Sequence, residues 1–505
     1  GLGDVYKRQV DWDGNPIVPS VNGSRNRWTT LGYFGRVNYD YQGRYLAEFN
    51  IRNDGSSRFR SGNRWVWSPS FSAGWNIAQE EFWKPINNIV EMLKVRASYG
   101  QLANQNTNSW YPTYAQMGIG AASGSWMMGG RKPNVAWSPG SIVEITPTWE
   151  KIRTSNVGLD FGLLKNRFTG SLDYYVRQTK DMIGPAPEMP AILGVGVPTT
   201  NNTDLKDVGF ELQLQWRDQL KNGLGYGVRL TLSDYKTKIT KYPNETGDLS
   251  KYRANAYTGQ IWGYETIGIA KNQGEMDAHL ASLPNGGQNA LGSKWSAGDI
   301  MYKDLNNDGR INSGSYTAND PGDMKVLGNS TPRYKFGFEL TADYKGFDFR
   351  AFFQGVLKRD YWQGNLYFWG ATKDGLWHSA GLTDHQDYFR DETTNSVISG
   401  ANTVNLDAYY PRPIFGDGKN QQVQSAYLQD ASYIRLKNLQ IGYTLPVNLT
   451  QKFAVSKLRV YVSGENLLTI TDMADMFDPE TIDGGWGGST YPLSKVLSFG
   501  LSVNF

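Results

Sequence analysis

The chain has 505 residues, which is long enough for several ordinary domains or for one very large sheet. Its 51 basic and 48 acidic residues nearly cancel, so the charge gives no reason to expect a nucleic acid as a partner. It has no cysteine, which excludes disulfides and thiolate metal sites, and no run approaches the about 18 consecutive apolar residues of a membrane helix.

Strand-like alternation of apolar and polar residues begins at Thr30 and recurs to the end of the chain. The predicted strands come in pairs, and short and long connections take turns between them. The short turns include "YQGR", "LKNR" and the Lys345-Gly346 turn inside "YKFGFELTADYKGFDFRAFFQGV". The two longest connections span 239–332 and 358–424. We count about thirteen predicted strands.

This rhythm is typical of outer-membrane barrels, which have tight periplasmic turns and long external loops. The 57 glycines, 30 tyrosines and 17 tryptophans, with a mean hydropathy of −0.52, also suit a barrel with a polar lumen and aromatic girdles. Bacterial barrels have even strand numbers, so about thirteen strands predict part of a larger barrel. The predicted fold class is all-β: the C-terminal part of an about 22-stranded antiparallel transmembrane barrel, with about nine strands and the plug domain missing.

The two ends of the chain carry separate predictions. The last ten residues, "VLSFGLSVNF", place Leu501, Val503 and Phe505 on the apolar side of an alternating strand. We predict that this side faces lipid and that these residues form a barrel assembly signal. Residues 1–9, "GLGDVYKRQ", fit neither a signal peptide nor the strand pattern, and we predict a non-native leading peptide there. Residues 10–505 are then the C-terminal portion of the barrel.

The sharpest local motif is "DLNNDGRIN", which has the spacing of an EF-hand-like calcium loop, with Gly309 at its sharp turn. Its predicted oxygen donors are the side chains of Asp304, Asn306, Asp308 and Asn312 and the carbonyl of Arg310. Position 12 is Ser315, which cannot supply the bidentate carboxylate. The alternative is a polar turn without an ion, because Asp, Asn and Gly favour turns.

Aromatic residues in the long loops are candidate substrate contacts. Trp362, Trp369 and Trp377 lie in the 358–424 loop, and Trp486 lies in the last loop within "GGWGGSTYP". Flat rings beside Asn and Asp suit stacking on sugars or peptides. The alternative is loop packing or an interfacial girdle.

The sequence shows no catalytic constellation, and we predict that the protein is not an enzyme. The three histidines lack the spacing of a zinc site, and no nucleophile elbow, P-loop or H-E-x-x-H motif occurs. Glu80 and Glu81 lie at a predicted turn, which explains them better than a glycosidase pair does.

Seven segments in a fixed order resemble the SusC/RagA group of TonB-dependent outer-membrane transporters, over nearly all of residues 28–505. They are "RNDGSSRF" with "PSFSAGW" and "EEFW", "LKVRASYGQLANQN", "GDIMYKDLNNDGRIN", "YKGFDFRAFFQGV", "ASYIRLKNLQIGYTLP", "LRVYVSGENLLTITDMADMFDPE" and the terminal Phe505. The resemblance implies a 22-stranded barrel with an N-terminal plug, energised by TonB and capped by a SusD-like lipoprotein. It also places an aspartate before a "VIGN"-like run, so Asp323 before "MKVLGN" is the expected further calcium ligand, with Asp320 as the alternative.

The leading functional hypothesis is TonB-dependent import of a bulky nutrient, an oligosaccharide, across the outer membrane. One alternative is a peptide importer of the same family. Another is a surface glycan-binding or adhesive β-protein, which would share the aromatic loops and calcium motif but not the loop rhythm. An outer-membrane enzyme would need a carboxylate or histidine cluster on the lumen face.

Overall fold

The structure is a computed structural model that describes residues 25–105, 107, 110–114, 119–121, 127–136, 147–185, 192, 199–370, 381–393, 404–485 and 487–505. The predicted leading peptide, residues 1–9, lies outside these ranges. Among the described residues, no helix is both long enough and apolar enough to cross a membrane.

Strands dominate the described part of the chain. They are β1 (Thr30–Tyr41), β2 (Tyr45–Ser56), β3 (Trp65–Asn76), β4 (Val90–Asn104), β5 (Ile119–Ala121), β6 (Asn134–Ala136), β7 (Glu150–Leu163), β8 (Phe168–Gly184), β9 (Thr200–Gln219), β10 (Gly225–Lys241), β11 (Gln260–Tyr264), β12 (Thr266–Ile269), β13 (Ile300–Tyr302), β14 (Met324–Asn329), β15 (Arg333–Tyr344), β16 (Phe347–Lys358), β17 (Asp360–Trp362), β18 (Leu428–Asp430), β19 (Tyr433–Thr444), β20 (Lys457–Thr471) and β21 (Val496–Asn504). Short α-helices span Gln273–Ala281, Leu366–Trp369 and Val447–Thr450.

Thirteen of these strands form one antiparallel sheet in the order β1-β2-β3-β4-β7-β8-β9-β10-β15-β16-β19-β20-β21. Each strand therefore pairs with the next long strand along the chain, as the predicted succession of hairpins requires. The predicted turn between β15 and β16 is confirmed, because Lys345 and Gly346 have φ angles of 47° and 90°. Two positive φ angles are typical of the tight hairpin turns that match the twist of a sheet.

The main sheet has one apolar and one polar face. Val157, Tyr174 and Phe210 lie side by side across β7, β8 and β9, whereas the next row on the other face contains Asp173 and Glu211. At the last hairpin, Leu501 pairs with Val460 on the apolar face. The same alternation therefore appears at β7–β9 and at the last hairpin, and the large apolar side chains on this face are exposed, with Leu501 at 65% and Phe499 at 83%.

Aromatic residues border the apolar face at its short-turn end. Neighbouring strands place them in adjacent register positions: Tyr41, Tyr45, Trp75, Phe168, Trp216, Tyr344, Phe347 and Tyr443. Tyr33 and Trp65 stack near the opposite end, with ring centroids 6.0 Å apart. Aromatic side chains at the two edges of an apolar band are typical of membrane–water interfaces.

The long connections fold together into what we call the loop domain, which comprises the described residues of 242–332, 359–432 and 472–495. Its buried core draws on all three segments and includes Met276, Ile300, Tyr302, Ile311, Phe368, Phe477 and Ile482. The helix Gln273–Ala281 is capped by Asn272, whose side chain accepts a hydrogen bond from the Glu275 N–H. The connections predicted only as polar loops therefore contain a second hydrophobic core.

Candidate functional site

The polar face of the main sheet is covered by charges that pair with one another. Arg96 Nη2 lies 2.5 Å from Asp173 and Arg96 Nε lies 3.1 Å from Asp160. Arg459 pairs with Asp348 at 2.5 Å in the same way. Cross-strand pairs of opposite charge stabilise a sheet and leave its surface polar without a large net charge. The wall can therefore offer hydrogen bonds to a polar solute along its length.

The candidate site is a cavity of about 460 Å³ on this polar face, which we call the mouth cavity. Its walls come from β10, β15, β16 and β19, and the segment Pro479–Asp483 of the last loop covers it. Its lining residues include Thr231, Ser233, Lys335, Phe352, Gln354, Arg359, Tyr433, Glu480 and Asp483. Two aromatic rings among hydroxyl, amide and charged groups can hold a polar molecule by stacking and by hydrogen bonds.

The covering segment is held in place by a buried arginine. Arg435 of β19 is 3% exposed and contacts Asp478 at 2.7 Å and Glu480 at 2.8 Å. Lys437 contacts Glu480 at 3.0 Å. Burial opposes ionisation of Asp478, but the hydrogen bond and charge of Arg435, together with the backbone N–H groups of Glu480 and Leu493, outweigh it and hold the pKa of that carboxyl below its ordinary value.

A second arginine fixes the far end of the same segment. Arg359 donates to the Ser330 carbonyl at 3.0 Å and pairs with Asp483. Tyr361 donates its hydroxyl to the Ile482 carbonyl at 3.2 Å. The last loop is thus attached to the polar face of the sheet at two points, through Arg435 and Arg359. These attachments determine the distance between the covering segment and the sheet, which we call the height of the mouth cavity.

Arg435 and Arg359 were not predicted as functional residues. Arg435 lies near the start of β19 and Arg359 lies between β16 and β17, where the sequence alone suggests an ordinary charge at the membrane interface. The available signal was the acid-rich run "DMFDPETID" in the last loop. Such a run requires cationic partners if it is buried.

The structure places the predicted aromatic contacts in different surroundings. Trp369 is 5% exposed, donates Nε1 to the Gln363 carbonyl at 2.9 Å and packs 5.0 Å from the Tyr427 ring inside the core of the loop domain. Trp362 is half-buried, 6.1 Å from Trp369. Trp377 and Trp486 lie outside the described residues. Of the two predicted contacts that the structure describes, Trp362 is the more exposed, and it packs against the edge of the loop core.

The predicted calcium loop is a compact polar turn. Asp304 accepts the N–H groups of Asn307 at 2.7 Å and Gly309 at 2.9 Å, and Asp308 pairs with Arg310 at 3.2 Å. Asn306 accepts the Asp308 N–H at 3.0 Å, and Asn312 accepts the Gly314 N–H at 2.6 Å.

Asp323 closes this turn from the other side. It is 0% exposed and accepts the Leu305 and Asn312 N–H groups at 2.9 and 2.8 Å. Burial raises the pKa of Asp323, and the nearby Asp304 carboxylate adds to the effect. The Asp304 and Asp323 carboxylates, which have no cationic side chain in contact among the described residues, suit a bound cation. Within the described ranges, no three His, Asp or Glu side chains converge as metal ligands.

The remaining titratable groups considered in the sequence have structural partners. Glu80 accepts hydrogen bonds from the Tyr45 hydroxyl at 2.6 Å and the Trp75 indole at 3.0 Å, and the bond from Tyr45 lowers the pKa of Glu80. Glu81 pairs instead with the neighbouring Lys84. His385 lies against Tyr410, with ring centroids 5.4 Å apart. These contacts fasten turns and the loop core.

An antiparallel sheet with an apolar, aromatic-bordered face, a polar face and loops folded at one end defines the wall of an outer-membrane-type β-barrel. Residues 2–467 match the family described as TonB dependent receptor-like, beta-barrel. The chain belongs to this family.

Individual relatives agree with this assignment. The chain is 28% identical over 520 residues to TonB-dependent receptor P3 of Formosa agariphila, covering 98% of this chain and 47% of that protein. It is 26% identical to TonB-dependent receptor SusC of Bacteroides thetaiotaomicron, covering 95% and 44%. The chain thus spans about half the length of the curated relatives it matches.

The fold is similar to a solved structure described as the RagAB peptide transporter, with a TM-score of 0.71 and 23% identity over 99% of this chain and 50% of that one. The predicted resemblance to the SusC/RagA group and the predicted all-β barrel class are confirmed.

Proposed function

We propose that the chain supplies the C-terminal part of the barrel of a TonB-dependent importer that takes up an oligosaccharide across the outer membrane. The observation that carries this proposal is the mouth cavity, where Phe352 and Tyr433 lie among hydroxyl and amide groups on the polar face. The apolar face would contact the lipid of the outer membrane, since its aromatic border marks the interface.

Partners follow from the family. The import cycle would draw on the TonB complex, and a SusD-like lipoprotein would cover the outer end of the barrel, next to the loop domain. The loop domain supports this arrangement because its buried core gives the outer end a firm surface, which a cover requires. Peptide is the second candidate cargo, and the similarity to a structure described as a peptide transporter favours testing it directly.

Adjacent phenylalanines on opposite faces allow a matched test. Phe352 lines the mouth cavity, whereas Phe353 pairs with Phe338 on the apolar face. We expect Phe352→Ala in the full-length protein to weaken oligosaccharide binding about tenfold, since stacking contacts contribute about 0.5–1.5 kcal/mol beyond their buried area. Phe353→Ala should leave binding unchanged. Binding is measured by calorimetry on the purified protein with oligosaccharides and with peptides.

The outcome decides between cargo classes. Loss of binding in Phe352→Ala but not Phe353→Ala supports the cavity as a substrate site. Binding of peptides alone by the unaltered protein overturns the oligosaccharide assignment and leaves the importer assignment intact. Unaltered growth on every oligosaccharide by a strain lacking the gene would also overturn the oligosaccharide assignment.

A structural calcium ion in the loop domain is a separate proposal. The supporting observation is Asp323, which is fully buried beside Asp304 without a cationic side chain in contact among the described residues. Calcium would be held by Asp304, Asp323 and neighbouring amide and carbonyl oxygens, and would supply charge neutralisation only. We expect chelation to speed proteolysis near Asn307, and Asp304→Asn to abolish the difference. Identical proteolysis with calcium and with chelator contradicts the proposal, and Asp407→Asn, at an exposed pair, is the control.

A further inference from the structure

The apolar face changes character abruptly at the loop end of β7, β8, β9 and β10. Val157, Tyr174 and Phe210 form an apolar row that ends on β10 at Asp234, a buried carboxylate paired with Arg333. The next row outward on the same face already contains Lys236 beside Val208. One row further come Arg153, Gln178, Lys206 and Lys238. Lys151 and Lys180 follow as the next cross-strand pair. We call Lys151, Arg153, Lys180, Lys206, Lys236 and Lys238 the basic patch.

Most of this charge is not compensated by the protein. Lys151 pairs with Asp181 at 3.2 Å, and Lys180 pairs with Asp204 at 2.9 Å. Within the part of the chain that the structure describes, no carboxylate forms an ion pair with the other four, Arg153, Lys206, Lys236 and Lys238. On the polar face, Arg96 and Arg459 do pair with carboxylates, at 2.5–3.1 Å. The patch therefore keeps four positive charges for a ligand.

A cavity of about 400 Å³ adjoins the patch at Lys236. Lys358 also lines it, as do Tyr257, Gln260 and Asn329. Two further charged groups at the cavity have partners of their own: Arg333 pairs with Asp234, and Asp360 accepts the Asn329 N–H at 2.8 Å. Lys236 Nζ lies 5.8 Å from the centre of the Tyr257 ring. Two ammonium groups, a ring face and two amides at one cavity match a phosphorylated sugar, because the sugar can lie against the ring while the phosphate meets the lysines.

We propose that the basic patch binds the headgroup phosphates of an anionic glycolipid in the outer leaflet of the membrane. The proposal goes beyond the proposed import function and depends only on the proposed membrane location. The position of the patch favours a lipid as the ligand, since the patch directly follows the apolar row Val157, Tyr174 and Phe210 on the same face. A ligand there meets hydrocarbon on one side and water on the other, which is the situation of a lipid headgroup. Charge complementarity with phosphate supplies the attraction.

The test compares two triple variants of the full-length protein purified in detergent. Lys206→Gln, Lys236→Gln and Lys238→Gln remove patch charges. Lys94→Gln, Arg177→Gln and Arg229→Gln remove three charges from the polar face as a control. Binding of diphosphorylated lipid A and of its dephosphorylated form is measured by native mass spectrometry. Heat-modifiable migration on gels shows that both variants are folded.

Each basic residue near a charged lipid contributes about fivefold in affinity, so we expect the patch variant to bind diphosphorylated lipid A about a hundredfold more weakly at low salt. The control variant should bind like the unaltered protein, and the dephosphorylated lipid should bind weakly to all three. Equal binding by the patch variant, equal losses in both variants, or no preference for phosphate would each overturn the proposal. If the patch variant keeps its lipid binding but loses an acidic protein that co-purifies with the unaltered protein, the patch binds a protein and the proposal is overturned. Normal oligosaccharide uptake alongside lost lipid binding supports it and separates it from the import function.

Discussion

The loop domain contains a fully buried ion pair whose removal should open that domain locally. Lys419 is 1% exposed, and its Nζ lies 2.8 Å from Asp299, which is 0% exposed. Lys419 also donates to the carbonyls of Ser293 and Lys294, both at 3.0 Å. We expect Asp299→Asn to cost about 3–5 kcal/mol, because breaking a buried pair leaves an uncompensated charge in the interior.

The two partners should not be equivalent. Arg412 lies 3.4 Å from Asp299 and is 40% exposed, so Lys419→Met leaves the carboxylate with a second cation. Asp299→Asn, in contrast, leaves Lys419 with carbonyls, the Trp295 ring and the Asp417 carboxylate, which lies 3.9 Å from Nζ and so beyond hydrogen-bond distance. We therefore expect Lys419→Met to cost less than Asp299→Asn. The double variant should recover most of the loss, since it removes both buried charges together.

Hydrogen exchange measured by mass spectrometry on the full-length protein tests this ranking. The Ile300 N–H, which donates to Asn420 at 2.9 Å, reports on the core of the loop domain. Asp299→Asn should speed its exchange by about two to four decades, as one decade corresponds to about 1.36 kcal/mol. The exposed pair Lys271–Asp407 is the control, and its removal should change exchange by less than about one decade. A larger effect from Lys419→Met than from Asp299→Asn would refute the reasoning.

Three further predictions concern the barrel and the last loop. Leu501→Lys should reduce the heat-modifiable fraction in outer membranes, because a charge on the lipid face costs about 2–4 kcal/mol at the bilayer midplane. Ser502→Lys, on the polar face, should leave that fraction unchanged. Equal fractions for the two variants would contradict the assignment of the two faces. The pKa of Asp478 is lower in the folded protein than in the unfolded chain, where it is about 3.9. The stabilisation of the last loop by Asp478 is therefore fully present above the unfolded pKa and is lost only as pH falls through the lower folded pKa. Proteolysis of the last loop should therefore stay slow down to about pH 4, and faster cleavage already at pH 5 would exclude this ion pair as the fastening. Gly346→Ala should destabilise the β15–β16 hairpin by about 1 kcal/mol or more, measured in urea, because φ is 90° and the new Cβ would lie 2.7 Å from the Thr444 carbonyl; an unchanged midpoint would contradict the turn geometry.

The barrel wall could be predicted from sequence because its information is local. In a strand such as β21, the alternation of apolar and polar residues alone predicts which side chains share a face. The Lys345-Gly346 pair likewise predicts where the chain reverses. Each strand then pairs with the next long strand, so chain order determines neighbour order in the sheet. The predicted strand number and antiparallel order follow without any long-range choice.

The loop domain could not be predicted in the same way. Its core joins Met276, Phe368 and Phe477, which come from three loops separated by long stretches of barrel. None of the three belongs to a periodic pattern, and their contacts depend on the barrel bringing the loop ends together. Trp369 illustrates the result: an aromatic residue in a polar loop looks like a ligand contact until its neighbours are known. Position in space, and not residue type, decided between stacking on a substrate and packing in a core.

The ion pairs that join the loop domain to the wall connect these two parts mechanically. Arg435 holds Asp478 and Glu480, and Arg359 holds Asp483, so the last loop is fixed at both ends of its covering segment. The side chain of Ile482 lies between these anchors in sequence and inside the loop core in space. A displacement of the core therefore moves the cover of the mouth cavity, whereas the paired wall beneath it is held by its own backbone ladder. In the proposed importer, contact of an outer lipoprotein with the loop domain would change the height of the mouth cavity through Ile482, without requiring the barrel strands to move.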